Sequence, residues 1–194
     1  MAELSGKKIA FLLTNNYEDS ELTSPWEAVT AAGAQAVLVS PQQDKVEGKK
    51  GHSQQVDLAV SEAKPGDYDA LVLPGGTLNA DKIRMDGDAV AFTRGFFDQH
   101  KPVGVICHGP WILTDADVLQ GRTITSFPSL QTDLRNAGAT WVDEEGVVDQ
   151  GLVSSRTPDD LPAFNAKIEA RAAGTVAEDV GHGAVAVDPR VDQI

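Results

Sequence analysis

Cys107 is the only cysteine in the chain, and its setting is Val103-Gly104-Val105-Ile106-Cys107-His108-Gly109-Pro110. Val103 to Ile106 form a short, largely β-branched apolar run, which suits a strand buried on both faces. Gly109 and Pro110 then open a new element, and proline fits the first turn of a helix. A sharp strand-to-helix turn lifts its central side chain clear of the sheet, the geometry of a nucleophile elbow. Free amides at the helix start would stabilise a thiolate there, bringing the thiol below its ordinary value of about 8.5. A lone cysteine often serves only as a small core hydrophobe. The adjoining His108-Gly109-Pro110 favours the nucleophile, which would attack an electrophilic carbon such as a carbonyl.

Other residues can complete such a site. His108 is the candidate general base: its imidazole can bend back at a tight turn or pair with an acid from another subunit. Gly75 and Gly76 close a predicted strand, and their amides, with that of His108, can hold a developing oxyanion. Tyr17, Trp26 and Trp111 are candidate pocket walls, although aromatics more often fill a core. His52, His100, His108 and His182 lack the spacing of metal ligands. The chain has no Walker loop, dinucleotide fingerprint or Cys-x-x-Cys pair. No metal or cofactor is therefore expected.

The elements that must position these groups alternate. Strands are predicted over residues 8–13, 36–39, 69–73, 103–106 and 123–126, with short candidates at 141–142, 147–148 and 152–153. Helices are predicted from a Ser24-Pro25 cap to residue 32, over 88–100, from the Cys107 turn to about 118, near 130–137 and over 161–172. Residues 46–51 read as a turn or small hairpin. This alternation implies an α/β layered domain with a mostly parallel sheet, whose ligands sit beyond the strand C-termini. Glu18, Gly75-Gly76 and Cys107 each follow a strand and should converge at one edge.

At 194 residues and 41% apolar content, the chain fits one domain with a substantial core, residues 1–173. Residues 174–194, rich in Ala, Gly and Asp, read as a tail extension. Twenty-nine acidic against 16 basic residues give a net charge of −13, which repels nucleic acid and anionic membranes. No apolar run is long enough to span a bilayer, and no signal peptide is evident. With one cysteine and no sign of export, a reducing cytoplasm is the expected location.

Four segments in order resemble the ThiJ/PfpI superfamily, flavodoxin-like relatives of the class I glutamine amidotransferases. They are Tyr17-Glu18-Asp19-Ser20-Glu21, Asp69-Ala70-Leu71-Val72-Leu73-Pro74-Gly75-Gly76, Val105-Ile106-Cys107-His108-Gly109-Pro110 and Ser155-Arg156-Thr157-Pro158-Asp159-Asp160-Leu161. The Cys-His-Gly-Pro form is similar to the PfpI branch and its bacterial stress proteins. The resemblance implies a flavodoxin-like three-layer α/β sandwich. It makes Glu18 the acidic neighbour of Cys107, protonated or sharing a proton with it, because an ionised carboxylate would repel a thiolate. It makes Asp81 the acid reaching His108 across an oligomer interface, after a one-residue offset. The activities it implies are a deglycase or glyoxalase acting on glyoxal or methylglyoxal species and an intracellular cysteine peptidase. Redox sensing through oxidation of Cys107 is a third possibility. Trp111 stands where the family pattern has Gln, which would narrow the pocket. The expectation is a stress-protective, cofactor-independent cysteine hydrolase working on reactive carbonyls, with peptides as the alternative substrate, in a dimer or larger homo-oligomer.

Overall fold

The apolar runs of the chain are covered on both faces, as a parallel sheet between two helical layers requires. In the computed structural model, which describes residues 3–175, the chain begins β1 (Lys8–Leu12), α1 (Asp19–Ala31), β2 (Gln35–Ser40), β3 (Lys45–Glu47), β4 (Ser53–Gln55) and β5 (Leu58–Ala59). There follow β6 (Ala70–Leu73), α2 (Thr77–Ile83), α3 (Gly87–Asp98), β7 (Val103–Ile106) and α4 (Trp111–Asp115). The last part holds β8 (Thr123–Ile124), α5 (Gln131–Asn136), β9 (Thr140–Trp141), β10 (Val147–Asp149), β11 (Leu152–Ser155) and α6 (Leu161–Ala172).

Seven strands form the main sheet in the order β10-β11-β7-β6-β1-β2-β5. All neighbours are parallel except β10 against β11. Strand residues alternate between the two faces. Ala10, Leu12, Leu71, Leu73, Val103 and Val105 pack towards Phe92 and Phe96 of α3 and Leu113 of α4. Ile9, Phe11, Ala70, Val72 and Ile106 pack on the other side with Leu22 and Val29 of α1 and Phe164 and Ile168 of α6. The result is the expected flavodoxin-like three-layer sandwich. The chain leaves β1 towards β2 on one side and returns to β6 on the other, so strand order switches beside β1, where ligands bind in such sheets.

Several elements differ from the sequence expectation. Helix α1 starts at Asp19, not at Ser24, and carries Pro25 inside it. Proline removes one backbone bond there. The acidic first turn, Asp19 and Glu21, and the burial of Leu22, Pro25 and Val29 hold the helix through it. Helix α2 lies in a stretch for which the sequence pattern predicts no element. Helix α4 starts only after Pro110 and ends at Asp115, short of residue 118. Strand β5 was not anticipated, and β8 pairs with β9 in a separate two-stranded sheet. Residues 46–51 do belong to a hairpin, β3–β4. Apart from Gly174 and Thr175, the proposed tail and its His182 lie outside the described residues.

Candidate active site

Three strand ends build the site. Cys107 follows β7 with φ 60°, a left-handed conformation that a non-glycine residue rarely holds. The turn is held by neighbours: Cys107 N donates to Ser155 O at 3.0 Å, Phe127 N to Cys107 O at 2.9 Å and Gly109 N to Ile106 O at 2.8 Å. Strain supported in this way is a mark of functional turns. Helix α4 is too short and too late to supply much dipole. The thiolate is favoured instead by the amides of His108 and Gly76, which bond to the sulfur.

The two glycines after β6 have different tasks. Gly75 N donates to Glu21 Oε2 at 2.7 Å, so its amide is already committed and does not face an oxyanion. A Cβ on Gly75 would lie 2.5 Å from Glu21 Oε2, 2.8 Å from Cys107 Cβ and 2.9 Å from His108 N. Only glycine lets these three groups meet. Gly76 has φ 86° and sits against the backbone of Asn16, Tyr17 and Glu18, locking the β1 loop onto the β6 loop.

The carboxyl packed against Cys107 is therefore Glu21, not Glu18. Starting α1 at Asp19 places Glu21 in the first turn, on the buried side beside Leu22, and its side chain is fully buried. Its Oε1 has no hydrogen-bond partner among the described residues. Burial, reinforced by the charge of Glu18, pushes its pKa up to about 8. Burial first, and then the Glu21 carboxylate, push the Cys107 thiol up to about 12. This is the opposite of the expected low thiol pKa, because burial and a neighbouring carboxylate outweigh two amide bonds. The two groups titrate as a pair.

Glu18 lines the same cavity but is occupied. Lys50 Nζ reaches its Oε1 at 2.7 Å, and Lys49 Nζ pairs with its Oε2. Although burial opposes ionisation, these two cations hold its pKa below the ordinary value. It is an ionised anchor rather than a proton donor. The hairpin carrying both lysines is fastened by Asp19, which accepts from Lys50 N at 2.9 Å and His52 N at 2.7 Å.

His108 does bend back. Its Nδ1 lies 3.2 Å from Cys107 Sγ, its Nε2 lies 3.3 Å from Ser129 Oγ and 3.4 Å from Thr77 Oγ1, and its ring stacks on Phe127 at 4.7 Å. Burial, and then the charge of Lys49, lower its pKa, so the imidazole is neutral near neutral pH. With a proton on Nε2 shared with either hydroxyl, Nδ1 is free to accept the thiol proton.

The cavity over Cys107 has a volume of about 310 Å³ and is walled on its apolar side by Phe127 and Pro158. Tyr17 is fully buried, with its hydroxyl donating to His52 O at 3.1 Å, and serves the core. Trp111 packs against the other core, donates to Asp133 Oδ2 at 3.0 Å and lies under Arg84. Trp26 packs on Phe11. None of these three is a wall of the cavity. Asp81 is exposed on α2, and no contact within the described residues joins it to His108. Sequence reasoning missed Glu21, Lys49, Phe127 and Pro158. For Glu21 a signal existed: it lies next to Leu22 and ahead of Pro25 and Val29 on one apolar helical stripe.

The family model described as the DJ-1/PfpI family matches residues 7–171. The chain is 49% identical over 162 residues to protein/nucleic acid deglycase 2 of Escherichia coli (strain K12), covering 82% of this chain and 94% of that one. It is 46% identical over 163 residues to general stress protein 18 of Bacillus subtilis (strain 168), again covering 82% and 94%. Among solved structures, a two-domain protein with DJ-1/ThiJ/PfpI-like and ferritin-like domains from Anabaena variabilis superposes with a TM-score of 0.84 at 36% identity. That match covers 92% of this chain and 52% of the other.

Proposed function

The chain belongs to the DJ-1/PfpI family, and on that footing we propose that it is a stress-protective, cysteine-dependent deglycase or glyoxalase acting on reactive carbonyl compounds or their adducts. The observation that carries the reading is the buried Glu21 packed against Cys107, protonated up to about pH 8, with an Oε1 that has no partner among the described residues. A neutral carboxyl beside a thiol is a proton donor placed for an oxyanion formed at the carbon the sulfur attacks.

The chemistry follows from that placement. His108 Nδ1 takes the Cys107 proton and the sulfur adds to the aldehyde carbon of methylglyoxal. The carbonyl π electrons move to oxygen, which receives the Glu21 proton to give a hemithioacetal. The Glu21 carboxylate then removes the hydrogen from the former aldehyde carbon to give an enediol and returns it to the adjacent carbon, while the hydroxyl proton passes from the first oxygen to the second, leaving a thioester of lactate. The Glu21 carboxylate takes a proton from water, and the resulting hydroxide attacks the thioester. The carbon–sulfur bond breaks as the His108 imidazolium returns its proton to the sulfur. This releases lactic acid, ionised to lactate in solution, and restores the thiol, the neutral imidazole and the protonated Glu21. Methylglyoxal and water are consumed, lactate is produced, and no oxidant or cofactor enters. An amine adduct that collapses to the aldehyde joins the same sequence. A cavity of about 310 Å³ suits a small carbonyl better than a folded peptide segment.

We further propose that the working form is a homo-oligomer, with Asp81 of one protomer approaching His108 of another. The exposed apolar residues Leu78, at 55%, and Met85, at 75%, lie on and just beyond the helix that carries Asp81, where an interface would cover them. A methylglyoxal-modified protein and an unmodified casein, each incubated with the chain and with Cys107→Ser, test the main reading. Recovery of free amines from the first with no cleavage of the second supports it. Cysteine-dependent peptide cleavage without amine recovery would put the peptidase in its place.

A further inference from the structure

We propose that Lys49 makes the mouth of the Cys107 cavity an anion subsite, so that compounds carrying a carboxylate or similar negative group beside the reactive carbon react there in preference to neutral ones such as methylglyoxal. The identity of the reacting group as a carbonyl rests on the function proposed above. The charge preference rests on the geometry of the mouth alone.

The chain as a whole, with a net charge of −13, repels anions. The cavity mouth reverses that locally. Two cations, Lys49 and Lys50, share one carboxylate, Glu18, while the neighbouring Asp19 carboxylate is turned to the amides of Lys50 and His52 and does not line the cavity, so the positive charge at the mouth exceeds the negative. Lys50 is bonded to Glu18 from outside the cavity, whereas Lys49 lines the cavity with its side chain 49% exposed. An ammonium has three donors, and Glu18 occupies one side of it. The other ionisable groups facing the cavity are Glu21, Cys107 and His108. Glu21 is held protonated near neutral pH and His108 is held neutral, so neither adds a competing charge. The charge of Lys49 is felt at both His108 and Cys107.

The lysine is also held in place. Its amide donates to Tyr17 O at 2.9 Å, and Asn16 N donates to Glu47 O at 2.7 Å. The Asp19 carboxylate clamps the amides on the far side of the hairpin tip, and a Cβ on Gly48 would fall 2.6 Å from that carboxylate. Hairpin and helix start thus form one unit, which holds Lys49 at the wall of the cavity that Cys107 also lines. A small acid whose carbonyl carbon meets Cys107 would place its carboxylate there.

Because Cys107 is the only cysteine, alkylation of the whole chain reads this directly. Iodoacetate and iodoacetamide are matched in size and differ in charge. In each, the Cys107 sulfur forms a bond to the methylene carbon and iodide leaves with the electron pair, while the thiol proton passes to buffer. We compare the iodoacetate-to-iodoacetamide rate ratio with that of free N-acetylcysteine. A half-exposed charge roughly 5 Å from the anion should raise the ratio about five- to tenfold. Lys49→Gln should bring it back to the value of the free thiol, and Glu18→Gln should raise it further. High salt should collapse it in the unmodified chain, a readout that needs no variant. A ratio at or below that of the free thiol, or one unmoved by both Lys49→Gln and salt, overturns the subsite. Methylglyoxal turnover accompanied by a flat ratio sinks the subsite alone. A raised ratio without turnover sinks the carbonyl reading and leaves the subsite standing.

Discussion

Replacing Glu21 with Gln isolates the one proton on which the site depends. The amide keeps an oxygen to accept from Gly75 N and puts an NH2 group where Oε1 now has no partner among the described residues. It is nearly isosteric but cannot ionise. In the folded chain the carboxyl keeps its proton to about 8, against an ordinary value of 4.5. Between those values the folded state binds a proton that the unfolded state has released. Stability from this group is therefore complete below 4.5 and is lost as pH rises through about 8. At about 1.4 kcal/mol per pH unit, the gap corresponds to roughly 4 to 5 kcal/mol as an upper bound, part of it belonging to the coupled thiol. Urea unfolding at about pH 5, 7 and 9 should show the wild type losing several kcal/mol relative to Glu21→Gln as pH rises. In the same variant the Cys107 alkylation profile should shift to lower pH, because the carboxylate that pushes the thiol up is gone. Stability curves parallel to within about 0.5 kcal/mol, with an unchanged alkylation profile, would refute the proton sharing.

Other consequences follow from the same geometry. Gly75→Ala forces a methyl group between Glu21, Cys107 and His108, and should cost about 1–3 kcal/mol in urea unfolding and on the order of 100-fold in turnover. His108→Gln should leave stability nearly unchanged but lower kcat by about 10² to 10⁴-fold, read by steady-state kinetics. Asp19→Ala should free the β3–β4 hairpin, seen as faster amide hydrogen exchange at Lys50 and His52 while the main sheet stays protected. If Asp81 completes the site across an interface, activity per chain should fall on dilution in step with the sedimentation coefficient.

The fold was readable because its strands are short apolar runs bounded by glycine, proline and polar turns, and because the helices between them fix the parallel topology. The elbow was readable for the same reason: Val103–Ile106 ends abruptly at Cys107. What could not be read was which acid turns inward. Ser24-Pro25 looks like a helix start by every local rule. Tertiary burial of Leu22 and Val29 carries the helix back to Asp19 regardless, and that extension rotates Glu21 into the site and leaves Glu18 to the lysines. The lysines themselves lie far along the chain from Glu18, on a hairpin whose docking depends on the Asp19 carboxylate and the Tyr17 carbonyl, contacts that have no periodic signature. Phe127 is placed by a bond from its amide to Cys107 O, another long-range contact. The thiol pKa was misjudged because helix-start stabilisation is a local feature, whereas burial and the Glu21 charge are properties of the assembled fold.

The most direct measurement is lactate formation from methylglyoxal by the purified chain, beside Cys107→Ala of verified fold and with Cys107 shown to be reduced. Lactate from the wild type and none from the variant is the predicted result. Equal lactate from both, or none from either, would contradict carbonyl chemistry at Cys107.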